Sequence, residues 1–195
     1  MNWKKLNEYF DLHVEEGLYS IHYNNDKKYA LTILETDDEN ETELRMTEWT
    51  NDERQLFFFI NAYDGGFHII SYWNMNSIGI INSKCKQHTP LIGNTISFQQ
   101  NYIWIKIEKD DCCHLWIDGN EMKIGIINQD DDLCSKRITL ETDEENILDL
   151  VIEEHPMEGK EMRELFKLVQ KASELLSIET YEFEEGIERI TKKEM

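Results

Sequence analysis

The chain has 195 residues and a formal charge of −20, from 40 acidic and 20 basic side chains. This length supports one domain with a substantial core, and 40% hydrophobic residues with two prolines is the composition of a folded protein. So large a negative charge argues against direct binding to nucleic acid, because affinity for phosphates comes from basic side chains that release counterions.

The first predicted element is a short amphipathic helix over residues 1–16. Trp3, Leu6 and Phe10 fall on one face of it, and Gly17 follows its end. The segment lacks the apolar run of a signal peptide, and no stretch of the chain approaches the roughly 20 apolar residues of a membrane span. The four cysteines lack the spacing of a disulfide framework. We therefore expect a soluble, cytoplasmic protein with reduced thiols and no membrane partner.

Residues 18–153 predict an antiparallel β region of about ten to twelve short strands. Segments rich in Ile, Tyr, Phe, Trp and Thr alternate with clusters of Asp, Asn and Gly, which is the pattern of strands joined by turns. The run LFFFI at 56–60 is apolar on both faces and predicts a central strand. In 102–108 the isoleucines occupy one face, whereas Tyr102, Trp104 and Lys106 occupy the other, as expected of a strand with one face on the core.

The pentapeptide IGIIN occurs at 78–82 and again at 124–128. A shift of 46 residues superposes 54–82 on 100–128 and also matches His68 with His114. The predicted strands and turns coincide as well, so we interpret the two segments as one three-stranded meander used twice. Convergent β-strand composition in an isoleucine-rich chain is the alternative explanation.

The period changes again near the C-terminus. Met162, Leu165, Phe166 and Val169 recur at helical spacing and predict an α-helix over 157–178, which an acidic tail over 179–195 follows. The predicted fold is therefore α+β: a single domain, mostly antiparallel β, flanked by the N-terminal helix and this longer C-terminal helix.

Signatures of catalysis are missing from the sequence, so we expect a non-enzymatic protein without catalytic residues, cofactor or metal. It lacks the Gly-x-Ser-x-Gly, His-Glu-x-x-His and Cys-x-x-Cys motifs and any Gly-rich phosphate loop. One metal candidate stands as the alternative, a Cys2His2 zinc site formed by Cys85, His88, Cys112 and His114. Such a site, or an enzymatic site using His68 and His114, would lie between the two meanders.

Acidic segments with nearby aromatic residues are typical of a surface that binds a basic protein, because charge speeds encounter and aromatic side chains supply buried anchors. We expect a module that neutralises a basic protein partner, as an immunity protein or inhibitor does; mimicry of nucleic acid that blocks a DNA-binding protein is the alternative. The predicted partner-binding residues are Asp37, Asp38, Glu39, Glu41, Asp130, Asp131, Asp132, Tyr181 and Phe183.

Overall fold

A computed structural model describes residues 16–36, 42–62, 66–80, 85–94, 103–117, 121–127, 132–172 and 174. The chain divides into two compact units, Met1–Met157 and Glu158–Met195, which are described separately. The predicted N-terminal helix, apart from its last residue, and the predicted acidic tail lie outside the described residues.

The described part of the first unit contains twelve strands, and all of their pairings are antiparallel. They are β1 (Gly17–Tyr23), β2 (Tyr29–Glu35), β3 (Thr42–Glu48), β4 (Phe57–Asn61), β5 (Phe67–Ser71), β6 (Ser77–Ile80), β7 (Thr89–Asn94), β8 (Ile103–Lys109), β9 (Cys112–Ile117), β10 (Lys123–Gly125), β11 (Thr139–Glu141) and β12 (Leu150–His155). Short 3-10 turns occur at Glu53–Gln55, Leu133–Ser135 and Glu144–Asn146. The number of strands agrees with the sequence prediction.

Six of the strands close into a barrel. Strand β1 pairs with β12 and β4, strand β5 pairs with β4 and β8, and strand β9 pairs with β8 and β12. The ring of pairings returns to its starting strand, so none of the six presents a free edge along its whole length. The LFFFI strand, β4, is paired on both sides, as its two apolar faces predicted.

The other six strands form three hairpins, β2–β3, β6–β7 and β10–β11. Backbone hydrogen bonds join the hairpins to one another: the amide of Ile138 donates to Leu44 O at 2.9 Å, and the amide of Leu91 donates to Ile138 O at 2.9 Å. The twelve strands thus fall into three four-stranded repeats. Each repeat contributes two strands to the barrel and one hairpin to the cap, which is the topology known as a β-trefoil.

The two segments that the 46-residue shift superposes contain corresponding strands of this topology. Residues 54–82 hold β4, β5 and β6, and residues 100–128 hold β8, β9 and β10. The third set of corresponding strands is β12, β1 and β2. Strands β12 and β1 of this set pair although they lie at opposite ends of the described sequence of the unit.

Large apolar side chains fill the barrel. Phe57, Phe59, Phe67 and Trp104 are all 1% exposed or less and belong to one core cluster with the inward residues of β1 and β9. Burial of this aromatic surface together with the aliphatic core stabilises the unit through the hydrophobic effect.

The second unit contains an α-helix, α1, over 160–172. Leu165, Leu168 and Ala172 are buried, whereas Met162 and Phe166 are exposed. The predicted C-terminal helix is thus confirmed over these residues, and with it the α+β class. Among the described residues, no helix has the length and hydropathy needed to cross a membrane.

Candidate functional site

A group of polar and aromatic side chains meets on the outer face of strands β1 and β12; we call Ser20, His22, Trp49, Glu153 and His155 the Trp49 cluster. Ser20 and His22 alternate with the core residues Tyr19, Ile21 and Tyr23, so they point outward. The register places Ser20 opposite Glu153 on the neighbouring strand. Strand pairing between residues about 130 positions apart therefore assembles the cluster.

A chain of hydrogen bonds orders the floor of the Trp49 cluster. The Oγ atom of Ser20 lies 2.8 Å from His22 Nε2 and 2.8 Å from His155 Nε2. His22 Nδ1 lies 3.0 Å from the carbonyl oxygen of Lys27, so this nitrogen must carry the hydrogen. In neutral His22 the Nε2 atom then accepts from the Ser20 hydroxyl, and Ser20 accepts from His155.

The rim of the cluster is accessible although its floor is not. Ser20 and His22 are 0% and 3% exposed, whereas Trp49 and His155 are half-buried and the Glu153 side chain is 49% exposed. The Trp49 ring lies 4.9 Å from the His22 ring and 5.7 Å from the His155 ring, between centroids. Burial lowers the pKa of His155, an effect that the carboxylate of Glu153 opposes and that His22 reinforces. The site is therefore an ordered surface of aromatic rings with one carboxylate at its edge.

A second polar cluster lies at the turn between β8 and β9. His114 Nε2 lies 2.7 Å from Asp149 Oδ1, and Lys109 Nζ donates to the same oxygen at 3.2 Å. Burial tends to raise the pKa of Asp149, but the hydrogen bonds from His114 and Lys109 outweigh it and leave that pKa below its usual value. The Cys112 thiol donates to the carbonyl oxygen of Lys109 at 3.2 Å, so each of these groups already has a partner within the cluster.

His88 makes a different contact, on the hairpin cap. Its Nδ1 atom lies 3.0 Å from the carboxylate of Glu141, which is fully buried and also accepts from Thr139 Oγ1 at 2.6 Å. The two halves of the zinc candidate thus place their histidines on separate carboxylates, Glu141 for His88 and Asp149 for His114.

The thiols of the candidate zinc site are poorly suited to metal binding. Burial raises the pKa of both Cys85 and Cys112, which favours the protonated thiol over the thiolate that zinc requires. Within the part of the chain that the structure describes, no three His, Cys, Asp or Glu side chains form a group that could hold a metal ion.

Of the predicted partner-binding residues, only Asp132 lies within the described ranges. It is exposed, and its Oδ1 atom accepts a hydrogen bond from the amide of Cys134 at 3.1 Å, capping the Leu133–Ser135 turn. The others lie outside the described residues: Asp37, Asp38, Glu39, Glu41, Asp130, Asp131, Tyr181 and Phe183.

Sequence reasoning did not single out the Trp49 cluster. The alternation of Ser20 and His22 with apolar neighbours in β1 is a local signal for a polar stripe on the outside of the barrel. Its partners Glu153 and His155 show the same two-residue spacing, but neither pattern indicates that the two strands pair.

No protein-family model matches the chain, and no curated protein matches it in sequence. Solved structures do match in fold. The designed threefold-symmetric protein ThreeFoil superposes with a TM-score of 0.59 at 13% identity, over 70% of this chain and 99% of that one. The Macrolepiota procera ricin B-like lectin in complex with lactose gives 0.58 at 14%, over 74% and 99%.

A third match is the Polyporus squamosus lectin bound to a human-type influenza-binding epitope, with a TM-score of 0.60 at 10% identity. It covers 73% of this chain, and this chain spans half the length of that lectin. Identities this low show a common β-trefoil-like fold and nothing more.

Proposed function

We propose that the Met1–Met157 unit is a non-catalytic recognition domain that binds a carbohydrate at the Trp49 cluster. The observation that carries the proposal is the convergence of a half-buried indole, a half-buried imidazole and an accessible carboxylate on one face of the barrel. The similarity in fold to lectins, two of them described with bound saccharides, supports this choice of ligand class.

The chemistry of a sugar suits this surface. A pyranose has a patch of C–H groups that packs against an aromatic ring, and Trp49 offers such a ring. Its hydroxyl groups need hydrogen-bond acceptors, which the carboxylate of Glu153 supplies. The hydrogen-bonded floor of Ser20 and His22 fixes the site before the ligand arrives, so little ordering entropy would oppose binding.

The same geometry favours binding over catalysis. Ser20 is fully buried beneath the two imidazoles, so its hydroxyl cannot reach a substrate without moving the cluster. Burial is the largest cause of a raised pKa at three described thiols: Cys85, Cys112 and Cys134. A raised pKa leaves less thiolate at neutral pH, so these thiols are poor nucleophiles.

The test is binding of the purified chain to a glycan array, followed by calorimetric titration with the best saccharide. Glu153→Gln should weaken binding at least tenfold, and Trp49→Leu should abolish it. Glu154→Gln is the matched control, because it makes the same charge change on the adjacent exposed residue, whose side chain projects to the opposite face of β12. Equal affinities of the Glu153 and Glu154 variants would reject the Trp49 cluster as the site.

The second candidate function is binding of a basic protein partner, as expected from the sequence. The formal charge of −20 supports recognition of a basic protein by an immunity-protein or inhibitor-like mechanism. Reversing the charges of Asp37, Asp38, Glu39 and Glu41 should then weaken capture of that partner and flatten its salt dependence. If a free saccharide competes with the captured ligand and salt has little effect on capture, the result would favour carbohydrate binding over the protein partner.

A further inference from the structure

Helix α1 carries an exposed apolar surface. Among the described residues, three large apolar side chains are exposed, and two of them lie on α1: Met162 at 51% and Phe166 at 71%. The third is Ile127, at 37%, which lies outside α1. Met162 and Phe166 are four residues apart, so they lie one above the other on the same face of α1. An exposed aromatic ring beside an exposed thioether is typical of a surface that another molecule covers.

The charge of α1 has the opposite sign to that of the rest of the chain. Residues 160–172 contain four basic and two acidic side chains, a formal charge of +2. The Met1–Met157 unit contains 30 acidic and 13 basic side chains, a formal charge of −17. An acidic surface is therefore the electrostatically favoured partner of α1.

The positions of the basic side chains put them beside the apolar pair. At about 100° per residue, Arg163 and Lys167 fall on one side of Phe166, whereas the buried Leu165 falls on the other. Among the residues that the structure describes, Arg163 has no ion pair, and Lys167 pairs with Glu164 at 2.9 Å. The arrangement is an apolar anchor with a basic rim along one edge.

We propose that this face of α1 binds the acidic Met1–Met157 unit of a second copy of the chain. Phe166 and Met162 supply the buried anchor of the contact, and Arg163 and Lys167 supply the charge that orients it. Exchange of the contact in both directions gives a closed dimer with twofold symmetry. The proposal is independent of the carbohydrate site.

Sedimentation velocity of the full chain tests it, over concentrations from about 1 to about 300 μM, a range that detects micromolar dimers. The expected result is a rise from one to two copies with concentration. Phe166→Gln and Arg163→Glu should each raise the dissociation constant at least tenfold. Circular dichroism checks that α1 still forms in each variant, and glutamine is a good helix former. Lys171→Glu, at an exposed lysine of α1 turned about 140° away from Phe166, is the matched charge control and should raise the dissociation constant much less than Arg163→Glu does.

Two results would overturn the proposal. One is a chain that remains monomeric over the whole range at physiological ionic strength, where the repulsion between two acidic copies is screened. The other is a dimer whose dissociation constant Phe166→Gln leaves unchanged. In the first case, flotation with vesicles containing phosphatidylserine identifies a different occupant: binding there would assign the face of α1 to an anionic membrane surface.

Discussion

The indole nitrogens of Trp104 and half-buried Trp116 have different hydrogen-bonding environments, and a matched pair of substitutions can measure the difference. Trp104 is 0% exposed, and its indole nitrogen donates to the carbonyl oxygen of Ile78 at 2.9 Å. The indole nitrogen of Trp116 is also buried, but it has no hydrogen-bond partner in the described part of the structure. Replacing each by phenylalanine removes the same atoms from two different hydrogen-bonding environments.

The magnitudes follow from these contacts. Trp104→Phe leaves Ile78 O buried without its donor, at a cost of about 1–3 kcal/mol, and the smaller ring leaves a cavity worth roughly 1–2 kcal/mol more. We therefore expect the free energy of unfolding to fall by about 2–5 kcal/mol. Trp116→Phe loses a similar volume and part of a contact with Lys123, whose Nζ lies 5.8 Å from the ring centroid. It also removes an unsatisfied donor, so the net change should lie within about 1 kcal/mol of zero.

Urea unfolding followed by far-ultraviolet circular dichroism measures both values without relying on tryptophan fluorescence, which the substitutions themselves change. The urea dependence of the free energy must be the same in the three proteins for the comparison to hold. Equal destabilisation by the two substitutions would refute the reasoning, because it would mean that the hydrogen bond to Ile78 contributes nothing beyond the volume of the ring.

Three further outcomes are expected. Gly125→Ala should lower the free energy of unfolding by about 1–3 kcal/mol in a urea titration, since its Cβ would clash with the backbone oxygen of Asn146 and lie 2.6 Å from Glu141 Cγ. Gly17→Ala should cost less, because the nearest atoms to its Cβ, at 3.0 Å and beyond, belong to the Tyr19 side chain. Hydrogen bonds from Arg54 lower the pKa of Asp52 to about 2. The stability that the Asp52 carboxylate contributes is therefore present above pH 3.8 and lost as the pH falls through about 2. In a carboxyl NMR titration, Arg54→Gln should return the pKa of Asp52 toward 3.8, and an unchanged pKa would contradict the assignment. Burial lowers the pKa of His155 below 6.5 in the folded state. The contribution of His155 to the free energy of unfolding is therefore fully present above pH 6.5 and lost as the pH falls through the lower folded pKa. His155→Gln should flatten this part of the plot of stability against pH, and an identical plot would contradict the prediction.

Local patterns predicted the antiparallel β region and the C-terminal helix of this fold. The alternating and fully apolar segments between residues 18 and 153 predicted antiparallel strands, and LFFFI predicted the strand that is paired on both sides. The helical spacing around Leu165 predicted α1. These predictions succeed because side-chain period reflects which faces of one element are buried.

The same patterns did not identify the core face of β8. Tyr102, Trp104 and Lys106 share a face that looked like the more polar one, yet Trp104 is among the most deeply buried side chains described. Its indole is accommodated because its single donor finds the carbonyl oxygen of Ile78, on a strand of the neighbouring hairpin. A buried polar atom depends on a partner that is distant in sequence, and alternation within a strand carries no information about that partner.

The sequence by itself determined the β-rich composition, the order of strands and helix, and the strong negative charge of this protein. Only the tertiary structure decided that β1 pairs with β12, and this pairing both closes the barrel and brings Ser20 and His22 to Glu153 and His155. The physical reason is that strand formation reflects local side-chain periodicity, whereas the choice of strand partner depends on packing and closure across the whole unit.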